Sequence, residues 1–479
     1  MAIIEKPLNG TIGLLEDTNM PNAIHEQRLF LDAAHRACRH LESLRQRNPF
    51  PTADALEHLN ELAVPLPLSP EDPSEILRQL DEIGSPATVA NGGGRYFGFV
   101  IGGALPAARA ASVLAAAWDQ NVALRLLSPV GAFLEDISLA WIRELLGLPT
   151  TSGGALVTCA TMASFTCLAA ARHQLLANRN WNVESDGLFG APEIPVYVSA
   201  DCHIAVLKAL ALLGMGRSRV IRLATDNQSR ICISELPEIQ QPSIVCIQAG
   251  DVNTGALDRA PELCAWAHGS GSWVHVDGAF GLWAAASPEK AHLAAGFSDA
   301  DSWATDCHKW LNVPYDSGVA FVRRPEALVA AMASEGAYFH LTDKREPSHY
   351  NPELSRRARA VEIWAAIRSL GKSGIAELID RTCHYAQLFA KRLSAAGFEI
   401  LNDVVTNQVL VSFGSDAHTG AVVAALQKEG TCWCSSTEWK GRRAMRISIS
   451  SWATTAEDVE ASVSAMLRVE QGLHNAGLQ

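Results

Sequence analysis

The sequence predicts an α/β fold, with a mainly parallel sheet in a large domain and a smaller α+β domain at the C-terminus. Three observations lead there. Between about 105 and 325, short and continuously apolar runs alternate with helical patterns, as strands covered on both faces require. Polar and acidic residues gather at the ends of those runs, where parallel sheets bind their ligands. Beyond 355 one long helical pattern is followed by mixed strands and helices. The expected division is 1–104 as an N-terminal helical arm, 105–354 as the large domain and 355–479 as the small one.

The elements follow in order. The first ninety residues are charged and helical in pattern ("HEQRLFLDAAHRACRHLESLRQ"), then proline-rich ("LAVPLPLSPEDPSEI"), an arm and a linker. "NGGGRYFGFV" leads from a glycine run into the aromatic cluster Tyr96, Phe97 and Phe99. Strands are expected at "ALVT" (155–158), "IPVYVS" (194–199), "RVIRL" (219–223), "SIVCIQA" (243–249), "SWVHVD" (272–277) and "SGVAFV" (317–322). Helices such as "MASFTCLAAARHQLLA" and "IAVLKALALLG" separate several of them. "SRRARAVEIWAAIRSLG" (355–371) reads as a helix, and "NQVLVSF" and "AMRISIS" as strands of the small domain.

The totals narrow the function. A chain of 479 residues has room for a large core. Lys and Arg number 39 against 51 Asp and Glu, a formal charge of −12, without basic runs. That balance argues against a nucleic-acid or anionic-membrane surface. The eleven cysteines are scattered, none at zinc-ligand spacing, so no metal site is expected and reduced thiols in a cytoplasm fit best. "MAIIEKPLNG" lacks the basic and apolar regions of a signal peptide. The uncharged run Leu145 to Ala171 is broken by Pro149, Gly153 and Gly154, which reads as a loop and helix start, not a membrane span.

"SWATDCHKWLNVPYDSG" (302–318) sets one lysine, Lys309, between His308 and Trp310. Such a lysine is ordinarily a solvated turn residue. Asp277 changes that expectation, because it ends the apolar run "SWVHVD", where a carboxylate is costly unless it meets a cation or caps a helix. A lysine in an apolar pocket has its amine pKa lowered by desolvation and becomes a nucleophile for an aldehyde. Together Asp277 and Lys309 are the pair that pyridoxal 5'-phosphate needs: a Schiff-base lysine and a carboxylate for the ring nitrogen. "TCATMAS" (158–164), where a loop enters a helix, suits a phosphate or is simply a helix cap. His203, in "YVSADCHIAVLKAL", stands at another strand-to-helix crossing and could stack on a planar ring.

"HVDGAFG", "DCHKWLNVPYDSG", "YVSADCH" and "PELSRRARAVEIWAAIR" together resemble the pyridoxal-phosphate-dependent decarboxylases of the aromatic-amino-acid and glutamate decarboxylase group (group II). The resemblance covers roughly Arg95 to Ala465. It implies the fold-type-I architecture of aspartate aminotransferase and a homodimer with active sites at the subunit interface. It also implies that Lys309 carries the cofactor, Asp277 holds the pyridine nitrogen and His203 stacks on the ring. Ala160 and Thr161 would bind the phosphate, with His308 reaching it as well. Ala279 would lie against the other ring face, and Asn253 would approach the 3-hydroxyl side. Two departures stand out: Cys159 and Ala160 occupy positions usually held by Gly, Ser or Thr, and "GGGR" replaces a His-Pro before the aromatic cluster.

The reaction implied is decarboxylation of an L-amino acid to its amine and CO2, with Tyr350 of the polar stretch 338–355 as the candidate proton donor. Tyr96, Phe97 and Phe99 resemble a substrate wall and lean toward an aromatic substrate; an acidic one would need a base such as Arg95. Arg446 is expected to brace the small domain. Two other readings stay open: an aminotransferase or carbon–carbon lyase using the same cofactor, and a non-catalytic binding or scaffold protein.

Overall fold

The computed structural model describes residues 23–334 and 344–476. Contacts divide the chain into one unit of residues 1–47 with 51–89 and another of residues 48–50 with 90–479. In the first, α1 (Ala23–Ser43) sets Arg36 between Asp32 at 2.9 Å and Asp81 at 3.2 Å. Thr52 caps α2 (Ala53–His58), and Asp72 caps α3 (Pro73–Gln79), whose first-turn proline lacks only an N–H the helix does not use.

The second unit holds both sheets. Helices α4 (Pro106–Trp118) and α5 (Pro129–Leu145) precede a sheet of β1 (Gly153–Val157), β2 (Val196–Ser199), β3 (Ile221–Leu223), β4 (Ile244–Gln248), β5 (Trp273–Asp277), β6 (Ser302–Asp306) and β7 (Gly318–Val322). Their spatial order is β1-β7-β6-β5-β4-β2-β3. Strands β3, β2, β4, β5 and β6 pair in parallel, and β7 runs antiparallel to both β1 and β6. Between them lie α6 (Ala160–Ala177), α7 (Val183–Asp186), α8 (Ile204–Leu212) and α9 (Ala260–His268), and α10 (Pro325–Met332) follows β7.

Alternate residues of each central strand enter different cores, which is why the runs are apolar throughout. Val245, Ile247, Val274 and Val276 join one cluster; Ile244, Cys246 and Trp273 join the other, against α6 and α8. Burying each such Val or Ile stabilises the fold by about 1.5–3 kcal/mol, so the sheet fixes the position of everything at its edge. Strand β6 was absent from the six expected strands. All five of its residues are buried, but Ser302, Thr305 and Asp306 hide the run among polar letters.

The small sheet comprises β8 (Glu399–Ile400), β9 (Gln408–Ser412), β10 (Ser435–Trp439) and β11 (Arg442–Ser448), antiparallel in the order β10-β11-β9-β8. It accompanies α11 (Ala360–Ala395), interrupted at Gly371, α12 (Asp416–Glu429) and α13 (Ala456–Asn475). The helix expected from 355 begins only at Ala360. Its first residues serve ion pairs instead: Arg356 with Glu135 at 2.6 Å, Arg357 with Glu362 at 2.7 Å and Arg359 with Asp316 at 2.8 Å.

His275 of β5 fastens the edge from below, its Nδ1 3.0 Å from Ser302 Oγ of β6 and its Nε2 3.2 Å from Ser164 Oγ of α6. Burial pushes its pKa down to about 3. The unfolded value is about 6.5, so this stabilisation is complete above that pH and is lost as pH falls from there toward 3. Urea midpoints are expected to drop between about pH 6.5 and about pH 4, and His275→Gln should flatten that drop by about one proton's worth of slope.

Candidate active site

Four strand ends supply the site. Gln248 ends β4, Asp277 ends β5, Asp306 ends β6, and Cys159 follows β1 as the N-cap of α6. Gln248 pairs in register with Asp277, and Asp277 with Ala304, so they sit side by side on one face. His203, N-cap of α8, arrives after β2 with its Nδ1 accepting from the Ala205 N–H at 3.3 Å.

Asp306 is the organising group, and reading the sequence passed over it. Its carboxylate is 2 % exposed. One oxygen accepts the Ala160 N–H of α6 at 2.6 Å; the other lies 3.0 Å from Lys309 Nζ and 3.6 Å from His308 Nε2. The lysine is therefore not in the purely apolar pocket expected, but faces a buried carboxylate. A signal was present: "SWVHVD" and "SWATD" both open on Ser-Trp and close on an aspartate.

The backbone around Lys309 is clamped. Asn312, at φ +58°, donates to the carbonyls of Trp310 at 2.8 Å and Ser450 at 2.9 Å, and accepts from Trp452 N at 2.9 Å. Gly102 packs so close that a Cβ there would stand 1.8 Å from the Lys309 carbonyl oxygen. His308 Nδ1 accepts the Ser317 N–H at 3.0 Å, and its ring stacks on Tyr315 with centroids 4.3 Å apart. Burial lowers the His308 pKa, with Asp306 opposing.

A small cavity lies at this edge, lined by Phe99, Val100, His203, Gln248, Gly250, Val252, Asp277, Ala279, Phe280 and Lys309. It brings together Lys309, Asp277, His203, Ala279 and Phe99 of the residues expected from the sequence. Ala160 and Thr161 open α6 beside Asp306. Phe97 is corrected: fully buried, edge-on to Phe389, it belongs to the core of the small sheet. Tyr96 is buried and stacks on Trp433, 5.0 Å between centroids, without lining the cavity. Asn253 turns away, its Oδ1 accepting from Thr437 Oγ at 3.0 Å, because its neighbour Val252 takes the cavity side.

Tyr350 also lies elsewhere. The stretch proposed for it, 338–355, falls partly outside the described residues; within them, the Arg345 guanidinium covers the Tyr350 ring at 4.6 Å. Arg95 is 3.9 Å from Asp458 and does not line the cavity. Arg446 is buried in β11; burial lowers its pKa and the Asp251 charge opposes.

The residues present fit pyridoxal phosphate. Asp277 is 7 % exposed and accepts only the Ala279 N–H, at 3.3 Å; no cation among the described residues pairs with it, as a carboxylate meant for a ring cation requires. Burial and the Asp277 charge push the neighbouring Cys202 thiol up to about 12. Lys309 presents an amine to the same cavity. Cys159 makes no side-chain capping bond, and of the first N–H groups of α6 that of Ala160 donates to Asp306.

A lysine and an unpaired carboxylate at the carboxyl edge of such a sheet define the pyridoxal-phosphate class of enzymes. The model of the pyridoxal-dependent decarboxylase conserved domain matches residues 65–415, and the chain belongs to that family. It is 27% identical over 456 residues to an aromatic-L-amino-acid decarboxylase of Bacillus atrophaeus, covering 88% of this chain and 90% of that protein. It is 28% identical over 294 residues to a 4-hydroxyphenylacetaldehyde synthase of Rhodiola rosea, an alignment spanning 57% of this chain and 58% of the relative. Oryza sativa TDC, solved with PLP and tryptamine, superposes with a TM-score of 0.88 at 20% identity over 94% of this chain and 99% of its own. The fold is thus that of fold-type-I decarboxylases, the cofactor is pyridoxal phosphate, and the activity is amino-acid decarboxylation.

Removing the Asp306 side chain deprives both Ala160 and Lys309 of an acceptor. In urea denaturation, Asp306→Ala is expected to cost about 3–5 kcal/mol, whereas Asp306→Asn, which can still accept from Ala160, should cost about half as much.

Proposed function

We propose that this chain decarboxylates aromatic L-amino acids. One observation carries the reading: the cavity that holds Lys309 and Asp277 is also lined by Phe99, Val100, Val252 and Phe280, and among the described lining residues Lys309 is the only lysine or arginine. An apolar wall without a guanidinium favours an aromatic side chain and leaves a second carboxylate unpaired. The names of the relatives support the same substrate class.

Bound pyridoxal phosphate supplies an aldehyde that joins amines and a ring that takes up the electrons released as CO2 departs. In this reading Lys309 would hold the cofactor through its amine. Asp277 would stabilise positive charge on the ring nitrogen, and His203 and Ala279, which line the same cavity, would confine the ring. Thr161 and His308 would serve the phosphate; the Ala160 N–H expected there is instead given to Asp306. Asp306 stands 3.0 Å from Lys309 Nζ, beside the cavity, and would hold that side chain in place.

Homodimerisation belongs to the proposal. It is supported by the exposed apolar residues Val113, Leu114, Leu126, Leu127 and Phe133 on and between α4 and α5, a band suited to a second copy. No described helix is long and apolar enough to cross a membrane, and all eleven cysteines are free; a cytoplasmic home is proposed on the thiols.

CO2 release from a panel of amino acids tests the substrate. Phenylalanine, tyrosine, tryptophan or DOPA should exceed glutamate in kcat/KM by at least about tenfold, the worth of one unpaired buried charge or more. A preference for acidic substrates overturns the reading, and aldehyde release instead of amine moves the chain toward the synthase. Lys309→Ala should lose both CO2 release and the visible absorbance of the bound cofactor.

A further inference from the structure

Phe99 stands in the cavity wall without the burial that usually holds an aromatic side chain in place. It is 60 % exposed, and its backbone adopts φ +55°, a conformation a bulky residue keeps only where its surroundings impose it. Among the described residues its ring stacks on one other, that of Trp433, with centroids 5.6 Å apart and planes 26° from parallel. Trp433 belongs to a distant part of the chain, the lead into β10, and does not line the cavity. Its neighbours Cys432 and Cys434 are fully buried in the core of the small sheet, so alternation along the extended chain turns the indole the other way. The backbone is fastened there as well. Trp433 N–H donates to the Arg95 carbonyl at 3.0 Å, and the Trp433 carbonyl accepts from Phe97 N–H at 2.8 Å. Gly98 lies so close to the indole that a Cβ would stand 2.1 Å from the ring.

We propose that Trp433 is a positioning residue for the substrate, holding the Phe99 ring at the cavity wall and so setting which side chains bind there. The proposal rests on the reading of Phe99 as part of the substrate wall. Two constraints meet at Trp433. Its backbone hydrogen bonds fix where residues 95 and 97 lie, and its ring closes on Gly98 and Phe99, where φ turns positive. Without the indole, Phe99 has no stacked partner among the described residues and little burial to keep it at the wall. A wall residue that wanders costs binding of the substrate side chain, because its order must then be restored on binding. Trp433 is absent from the lining that Lys309, Asp277 and His203 share, so the cofactor's own partners stay in place.

The test is a double-mutant cycle on full-length holoenzyme: wild type, Trp433→Leu, Phe99→Leu and the two together, with Trp433→Phe beside them. Each is assayed with the amino acid that wild type decarboxylates best. Trp433→Leu should keep the visible absorbance of the bound cofactor and raise KM about fivefold, the worth of one stacked aromatic pair, with kcat within about twofold. Trp433→Phe, which keeps a ring for Phe99, should recover most of that KM. Phe99→Leu should raise KM by a similar factor, and the double variant by no more than the larger single change, since Trp433 acts through Phe99. A wild-type KM in Trp433→Leu overturns the proposal. So does a double variant whose KM rises by the product of the two single factors, or a loss of cofactor absorbance in either Trp433 variant, which marks a role in the fold at large. If wild type prefers an acidic amino acid, the aromatic reading fails, and the cycle run on that substrate still decides the role of Trp433.

Discussion

A carboxylate buried at the end of a strand must be answered from several directions, and Asp306 is answered from two elements that would otherwise have no reason to meet. Its strand is held by β5 and β7, so its position is set by the sheet. From there it takes the first N–H of α6 with one oxygen and the Lys309 ammonium with the other. A helix start is electropositive and a lysine is cationic, and the shared anion lets them lie within one side chain of each other. Gly318, beside it on β7, keeps the approach open: a Cβ there would stand 2.6 Å from the Cys159 backbone. The anion end and the amine end of the site are thus spaced by a single rigid group.

The same logic governs the sheet's exposed margin. Strand β1 is terminal in the order, and a bare edge invites pairing with another chain. Here Arg345 donates to the Gly154 carbonyl at 2.8 Å and Arg356 to the Leu156 carbonyl at 3.1 Å, while both also reach Glu135 of α5. Asn351 covers the Leu156 carbonyl as well. The segment from 345 to 359 therefore seals the edge. That is why Tyr350 rests under Arg345, and why the arginine-rich run before Ala360 does not continue the helix.

Much of this was legible because the physics was local. Continuous apolar runs announced β2, β4 and β5, and a carboxylate closing β5 marked Asp277. The His-Lys-Trp block marked Lys309. What escaped depends on contacts between distant parts of the chain. Strand β6 is buried through its neighbours and not through its own hydropathy. Phe97 and Phe99 are two residues apart, yet one is core and the other lines the cavity, because Phe99 and Val100 both adopt positive φ, +55° and +59°. That turn breaks the alternation a reader would count on. Asn253 faces away from the cavity for a comparable reason: its Oδ1 accepts from Thr437, far along the chain.

The stretch from Gly98 to Gly102 is pinned at both ends by contacts that admit no side chain: a Cβ on Gly98 would meet the Trp433 ring at 2.1 Å, and one on Gly102 the Lys309 carbonyl oxygen. Between these pins stand Phe99 and Val100. Lengthening or shortening this segment would drag on the peptide that bears the lysine, so descendants of this chain could not remodel the wall by insertion or deletion without disturbing the chemistry. Within this segment, divergence in what the enzyme accepts is channelled into point substitutions at Phe99 and Val100, each already bent into a conformation that tolerates few replacements. Such a lineage would explore new substrates in small, separate steps.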